Sequence, residues 1–157
     1  MNGVTTSKTP SAAPASTYRL QFNKNFTFAD ATAQLDHLAA LGVSHVFCSP
    51  ILQAAPGSTH GYDVVDHTQI SQECGGEQDF RRLCTKAHDA GLGIVVDVVP
   101  NHMAVPTPLW HNSALWSVLR DGPSSPYATW FDVDISTSLS ILMACLLYTS
   151  DAADDMQ

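Results

Sequence analysis

Gly93 to Val99 reads GIVVDVV, a near-continuous β-branched run of the kind that a parallel sheet buries on both faces. It follows a helical pattern almost without a gap. From about Glu77 to Ala90, the residues Phe80, Leu83, Cys84, Ala87 and Ala90 recur on one stripe, acids fill the first turn, and Gly91 supplies a stop. The same arrangement occurs once more upstream. Thr27 offers an N-cap with Asp30 as its capping-box partner. Phe28, Ala31, Leu35, Leu38 and Leu41 keep helical spacing, and Gly42 stands where a left-handed cap belongs. Val43 to Cys48 (VSHVFC) follows at once as a strand, and Thr17 to Phe22 (TYRLQF) reads as a first strand with a turn-like Asn23-Lys24-Asn25 behind it.

The order β-α-β-α-β with short helix-to-strand turns implies an α/β fold with a parallel sheet and right-handed crossovers. Element order does not separate a barrel from an open doubly wound sheet. In both, the carboxyl ends of the strands carry the functional site. The polar residues gather there: in a long loop from Ser49 to Gly76, rich in Pro, Gly, Ser and His, and just past Val99. At 157 residues the chain is shorter than a complete eight-fold barrel, which takes about 250. Residues 104–135 lose clear periodicity and carry Trp110, Trp116, Tyr127 and Trp130, as expected for the start of an insertion after the third strand.

Apolar residues at 45% and charged residues at 14% suit a packed sheet rather than a disordered chain. The net charge of −8 and the lack of any basic run make nucleic acid and anionic membrane poor partners. Met1 to Ser16 has one lysine and no apolar core, so it reads as a disordered leader and not a secretory signal. Leu139 to Tyr148 is too short to span a bilayer, which takes about 20 residues. A cytoplasmic protein is the expectation. Cys48, Cys74, Cys84 and Cys145 form no Cys-x-x-Cys pair, so reduced thiols are expected rather than a zinc knuckle or a redox motif.

Two clusters could carry chemistry. Asp97 interrupts the apolar third strand, and a buried carboxylate must be paired or hydrogen-bonded. It either holds a loop or, with Asn101 and His102 just past the strand end, lines a site. The second cluster is HGYDVVDH, residues 60–67, where a Gly-flanked loop presents an aromatic ring, two carboxylates and two imidazoles. A solvated loop, a set of metal ligands and a sugar site all fit that list. In a sugar site the ring packs on a pyranose face while carboxylates and imidazoles bond its hydroxyls.

DVVPNH, residues 97–102, resembles the first signature region of the α-amylase superfamily, glycoside hydrolase family 13, and HGYDVVDH resembles its Gly-Tyr-Asp-x-x-Asp loop. Four ordered blocks, STYRLQFN, SPILQAAPGSTHGYDVVDH, GLGIVVDVVPNHMA and GPSSPYATWFDVD, are together similar to the trehalose-forming branch of that superfamily. The resemblance implies the N-terminal part of a (β/α)8 TIM barrel, with residues 17–103 as its first βα units. It implies a maltooligosaccharide substrate whose reducing-end α-1,4 linkage becomes α-1,1, with no cofactor and no metal. Tyr62 would be the platform under the sugar in subsite −1, and Asp63 would bind that sugar's hydroxyls. His102 would bond the same ring, Asn101 would shape the loop, and Asp97 would orient an arginine that the family carries on a later strand. An amylase or a 4-α-glucanotransferase would use the same residues. A barrel metallohydrolase built on His60, His67, His102 and Asp97 is the rival of another kind.

The resemblance stops near Ser136. The family's nucleophile lies in a Gly-x-Arg-x-Asp element, which this sequence does not contain, and its acid/base follows on a later strand. Catalytic carboxylates are therefore expected outside these residues, and the polypeptide is expected to be an inactive fragment. Residues 145–155 (CLLYTSDAADD) read as the translation of a sequencing adaptor, so residues 136–157 are expected to be a non-native tail.

Overall fold

A computed structural model describes residues 13–132. The expected tail, Cys145 and most of the expected leader lie outside the described residues. Ala15 and Ser16, the last residues assigned to that leader, are tied in place: both backbone N–H groups donate to Ser44 Oγ at 3.0 Å. The described residues fall into two compact units that meet in sequence between Ala104 and Val105.

The first unit is built on a three-stranded parallel sheet of β1 (Thr17–Leu20), β2 (His45–Cys48) and β5 (Gly93–Val96), with β2 in the middle. Helix α1 (Phe28–Leu41) joins β1 to β2, and α2 (Gly76–Asp89) precedes β5. Register runs straight across the sheet, Thr17 to His45 to Gly93 and Leu20 to Cys48 to Val96. Each strand is two or three residues shorter than its apolar run in the sequence.

Alternation along the strands decides which side is dry. Leu20, Val46 and Cys48 join Phe28, Ala31, Leu35, Leu38, Leu83 and Ala87 in one buried cluster, with Ile94 and Val96 packed against it. Phe28 is fully buried between Phe22 and Phe80, at ring-centroid distances of 4.8 and 5.2 Å. Helix α1 begins as its residues dictate. The Thr27 hydroxyl accepts from the Asp30 N–H, the Asp30 carboxylate accepts from the Thr27 N–H at 2.8 Å, and Gly42 closes the other end with φ 85°. Leu41, counted with the apolar stripe, is instead 57% exposed, because the helix has already reached its last turn.

Three sequence expectations change. Ser49 to Gly76 is not a single loop: β3 (Leu52–Ala54) and β4 (Val64–Ile70) pair antiparallel within it. β3 is only three residues long and its register shifts twice, so no alternation survives to announce it. Second, β5 is half-buried throughout rather than covered on both faces, and among the described residues it pairs only with β2. Third, the second unit is not aperiodic. It holds helix α3 (Ser113–Asp121), capped by the buried Asn112 side chain, which accepts from the Leu115 N–H at 3.0 Å. Short 3-10 turns at Leu109–His111, Gly122–Ser124 and Ala128–Trp130 flank it.

Candidate active site

Because the sheet is parallel, all three strands point their carboxyl ends to the same edge. The ladder runs one residue past the strands: Ser49 N–H donates to Leu20 O at 3.0 Å and Asp97 N–H to Cys48 O at 2.9 Å. The buried Ser49 hydroxyl accepts from the Phe22 N–H at 2.8 Å, which ties the exit of β1 to the exit of β2. Asp97 is thereby fixed at the edge.

The link between β3 and β4 rises over this edge and carries Tyr62. Its shape is set by its own polar groups and by Glu73. Ala55 N–H donates to Asp63 O at 2.9 Å, Gly57 N–H to both Glu73 carboxylate oxygens at 3.1 Å, and Gly61 N–H to Ser58 Oγ at 3.1 Å. The Ser58 hydroxyl also donates to Asp63 Oδ1. Gly61 is needed here. Its φ is 79°, and a Cβ would stand 2.9 Å from the carbonyl oxygen of Pro50.

Tyr62 is the junction of the site. Its hydroxyl donates to Asp97 Oδ2 at 2.5 Å and accepts from Arg19 Nη2 at 3.2 Å. Its carbonyl accepts from His102 Nε2 at 3.2 Å, while His102 Nδ1 lies 3.1 Å from Asn101 Oδ1. The His60 ring stacks beside it at 6.1 Å and 21°. Tyr62 is 38% exposed, so part of an otherwise anchored residue meets solvent. An anchored, partly exposed ring is what a pyranose can pack on.

The structure therefore brings Tyr62, Asp97, Asn101 and His102 together, with Asp63 next in the loop. Asp97 is not the buried strand carboxylate that its apolar context suggests. It lies one residue past β5, half-exposed, and its partner is the Tyr62 phenol. The two carboxylates of the HGYDVVDH block separate: Asp66 accepts from Thr68 N–H at 2.7 Å and Gln69 Nε2 at 2.7 Å, within its own strand β4. His67 donates through Nε2 to Val99 O at 2.8 Å, a structural tie between β4 and the segment after β5. Among the described residues no three of His, Cys, Asp and Glu gather in a way that could hold a metal. The metallohydrolase arrangement of His60, His67, His102 and Asp97 finds no geometric support.

Burial pushes the Cys48 thiol, beneath this edge, up to about 12, and raises those of Cys74 and Cys84 as well. These thiols are protonated at neutral pH and offer no nucleophile. Sequence reasoning missed Arg19, Gln21 and Ser58. The signal for the first two was available: they alternate with Tyr18 and Leu20, so they share the face of β1 that the core does not use.

A family model described as α-amylase, catalytic domain, matches residues 27–140. A protein of Mycobacterium tuberculosis described as "Putative maltooligosyl trehalose synthase" is 50% identical over 124 residues, which cover 76% of this chain and 16% of the relative. The α-amylase SusG of Bacteroides thetaiotaomicron is 40% identical over 100 residues, 64% of this chain and 13% of that protein. The solved maltooligosyltrehalose synthase of Arthrobacter ramosus superposes with a TM-score of 0.73 at 46% identity, over 77% of this chain and 16% of that one. The chain spans about one sixth of the length of these synthase relatives.

Proposed function

The chain belongs to the α-amylase catalytic-domain family, and from that membership we propose that it forms the first βα units of a (β/α)8 barrel that rearranges maltooligosaccharides. The reaction is the conversion of a reducing-end α-1,4 linkage into α-1,1, as performed by a maltooligosyl trehalose synthase. The observation that carries this reading is the Tyr62–Asp97 hydrogen bond at the carboxyl edge of the sheet. It joins two sequence blocks that lie far apart in the chain into one anchored aromatic platform.

In this reading Tyr62 packs under the sugar ring and Asp63 bonds its hydroxyls. His102 contributes an imidazole to the same ring, and Asn101 fixes that imidazole's orientation through its Nδ1 side. Asp97 holds the Tyr62 phenol. Retaining chemistry needs two carboxylates flanking the scissile bond, and the family's Gly-x-Arg-x-Asp element is not among these residues. The nucleophile would form a glycosyl-enzyme as the reducing-end glucose leaves. That glucose would turn in the site, and its anomeric hydroxyl would attack in place of water. These 157 residues alone should leave maltopentaose unchanged. The partner is a neutral glucan, with neither nucleic acid nor membrane involved, and the setting is the cytoplasm. No helix among the described residues is long and apolar enough to cross a membrane.

Counting reducing ends tests the proposal in a full-length protein carrying this chain. Intramolecular transfer to α-1,1 removes one reducing end per event without releasing glucose. Hydrolysis by an amylase adds one reducing end per cleavage, and a 4-α-glucanotransferase leaves the number constant while chain lengths spread. A rising or constant count with turnover would sink the synthase reading and leave one of these family members in its place.

A further inference from the structure

Strand β1 supplies a second set of contacts to the candidate platform. Arg19 and Gln21 flank the buried Leu20, so both side chains project from the face of the strand opposite the core. Arg19 Nη1 donates to Gln21 Oε1 at 2.8 Å, and Arg19 Nη2 donates to the Tyr62 hydroxyl at 3.2 Å. Gln21 Nε2 donates in turn to the carbonyls of His60 at 3.1 Å and Thr59 at 3.4 Å. Two side chains, one on β1 and one just past its end, thus hold Tyr62 at both ends. The guanidinium takes the phenol, and the amide takes the backbone just before it.

The guanidinium is itself held. It lies 5.8 Å from the centroid of Phe47, its register partner on β2, and its fork is divided between Gln21 and Tyr62. The Tyr62 oxygen is then used in both senses, donating to Asp97 on one side and accepting from Arg19 on the other. One hydrogen bond would let the ring swing about its bond to the partner. Two, from β1 and from the residue just past β5, hold its hydroxyl end from both sides.

We propose that Arg19 is a positioning residue for Tyr62: with Gln21 holding the loop, it fixes the place of the ring against which the glucose unit packs. It acts through the Tyr62 hydroxyl and touches no reacting atom. The proposal rests on the reading of Tyr62 as a sugar platform. A lysine would keep the charge but not the divided fork, so it would serve only in part.

Arg19→Met, Arg19→Lys, Tyr62→Phe and the Arg19→Met/Tyr62→Phe double variant, made in a full-length enzyme carrying this chain, decide the matter with maltopentaose as substrate. Arg19→Met should raise KM by about tenfold with a smaller change in kcat, because an unfixed platform must be ordered on binding. Arg19→Lys should fall between Arg19→Met and the unaltered enzyme. In the Tyr62→Phe background, where no hydroxyl remains to be held, Arg19→Met should add less than about twofold. Equal losses in both backgrounds would overturn the proposal, since Arg19 would then act on something other than Tyr62. Should Arg19→Met fail to fold by circular dichroism, Arg19→Lys, alone and combined with Tyr62→Phe, is read through the same cycle. If the unaltered enzyme does not act on maltopentaose, the activity reading has failed, and crystal structures of the unaltered and Arg19→Lys proteins decide the positioning role. A Tyr62 ring turned from Asp97 upholds it, and an unmoved ring overturns it.

Discussion

On the helix-covered face of the sheet, side chains are held by volume; at its carboxyl edge they are held by direction. Leu20, Val46 and Cys48 meet Phe28, Leu35, Leu38 and Leu83 in a cluster from which water is nearly absent. No member of that cluster needs a particular angle, only a neighbour at contact distance. At the edge, Tyr62, Asn101 and His102 are exposed and Asp97 is half-exposed, and each keeps its place through bonds of fixed geometry. Each such bond adds only about 0.5–1.5 kcal/mol to stability. The difference separates two jobs. Packing supplies the free energy of the fold, and the hydrogen bonds use the resulting frame to aim a few groups.

Substitutions on the two sides should therefore fail in different ways. The largest loss is expected from Phe28→Ala, which empties a fully buried site between Phe22 and Phe80 and should cost about 3–5 kcal/mol. Urea unfolding reads it directly. A variant of normal stability with weakened glucan binding would break the contrast. Gly61→Ala sits between the two regimes, because it strains the backbone of the platform loop and drives a Cβ toward Pro50 O. It should lose about 1–3 kcal/mol and weaken glucan binding at once, seen as a lower Tm together with poorer retention on a glucan column.

Tyr62→Ala should spare the fold. Losing the ring removes roughly 1–3 kcal/mol of stacking, by analogy with bases on aromatic side chains, so kcat/KM of the full-length enzyme should drop at least about tenfold. Far-UV circular dichroism should stay unchanged; persistent activity would remove Tyr62 from the sugar site. The smallest effect is expected at Thr27→Ala, where losing the cap of α1 should cost about 1 kcal/mol with binding intact. The Thr27 backbone and hydroxyl hold the Asp30 carboxyl below its ordinary value. A depressed folded-state value means that this contribution is present above the usual carboxylate range and is lost as pH falls through the folded value. An acid titration of stability should be slightly flatter in Thr27→Ala than in the parent, because alanine keeps the backbone N–H and loses only the hydroxyl; a steeper slope would count against the hydroxyl's share.

The frame was largely legible in the sequence because its signals are local. Thr27, Asp30 and Gly42 mark both ends of α1 by residue type alone, and the stripes of α1 and α2, Leu41 apart, name the residues that turn inward. What stayed hidden depends on partners distant in the chain. β4 reads VVDHTQI, with its middle polar, because Asp66, Thr68 and Gln69 bond one another rather than pack. No period announces such a strand, and β3 is too short to have one. Asp97 was recognisable as a carboxylate in need of a partner, yet its neighbours in sequence could not say that the partner is Tyr62. Arg19 was passed over although it shares the face of β1 that the core does not use, because its contact with Tyr62 exists only once β1 and the loop lie side by side.

The sheet order also has a consequence in time. Thr17 pairs with His45, and His45 with Gly93, so each parallel partner is made after the strand it joins. During synthesis a chain can close β1 onto β2 through α1 while later segments are still in the ribosomal tunnel. Folding force on a stalled nascent chain should rise first when α1 and β2 have emerged and again when β5 has; a single rise after β5 would deny this order. Leu20 and Val46 can thus be under cover before Asp97 exists. The phenol of Tyr62, already synthesised, waits for the carboxylate that will hold it, and the ribosome builds the packed frame before the polar edge is complete.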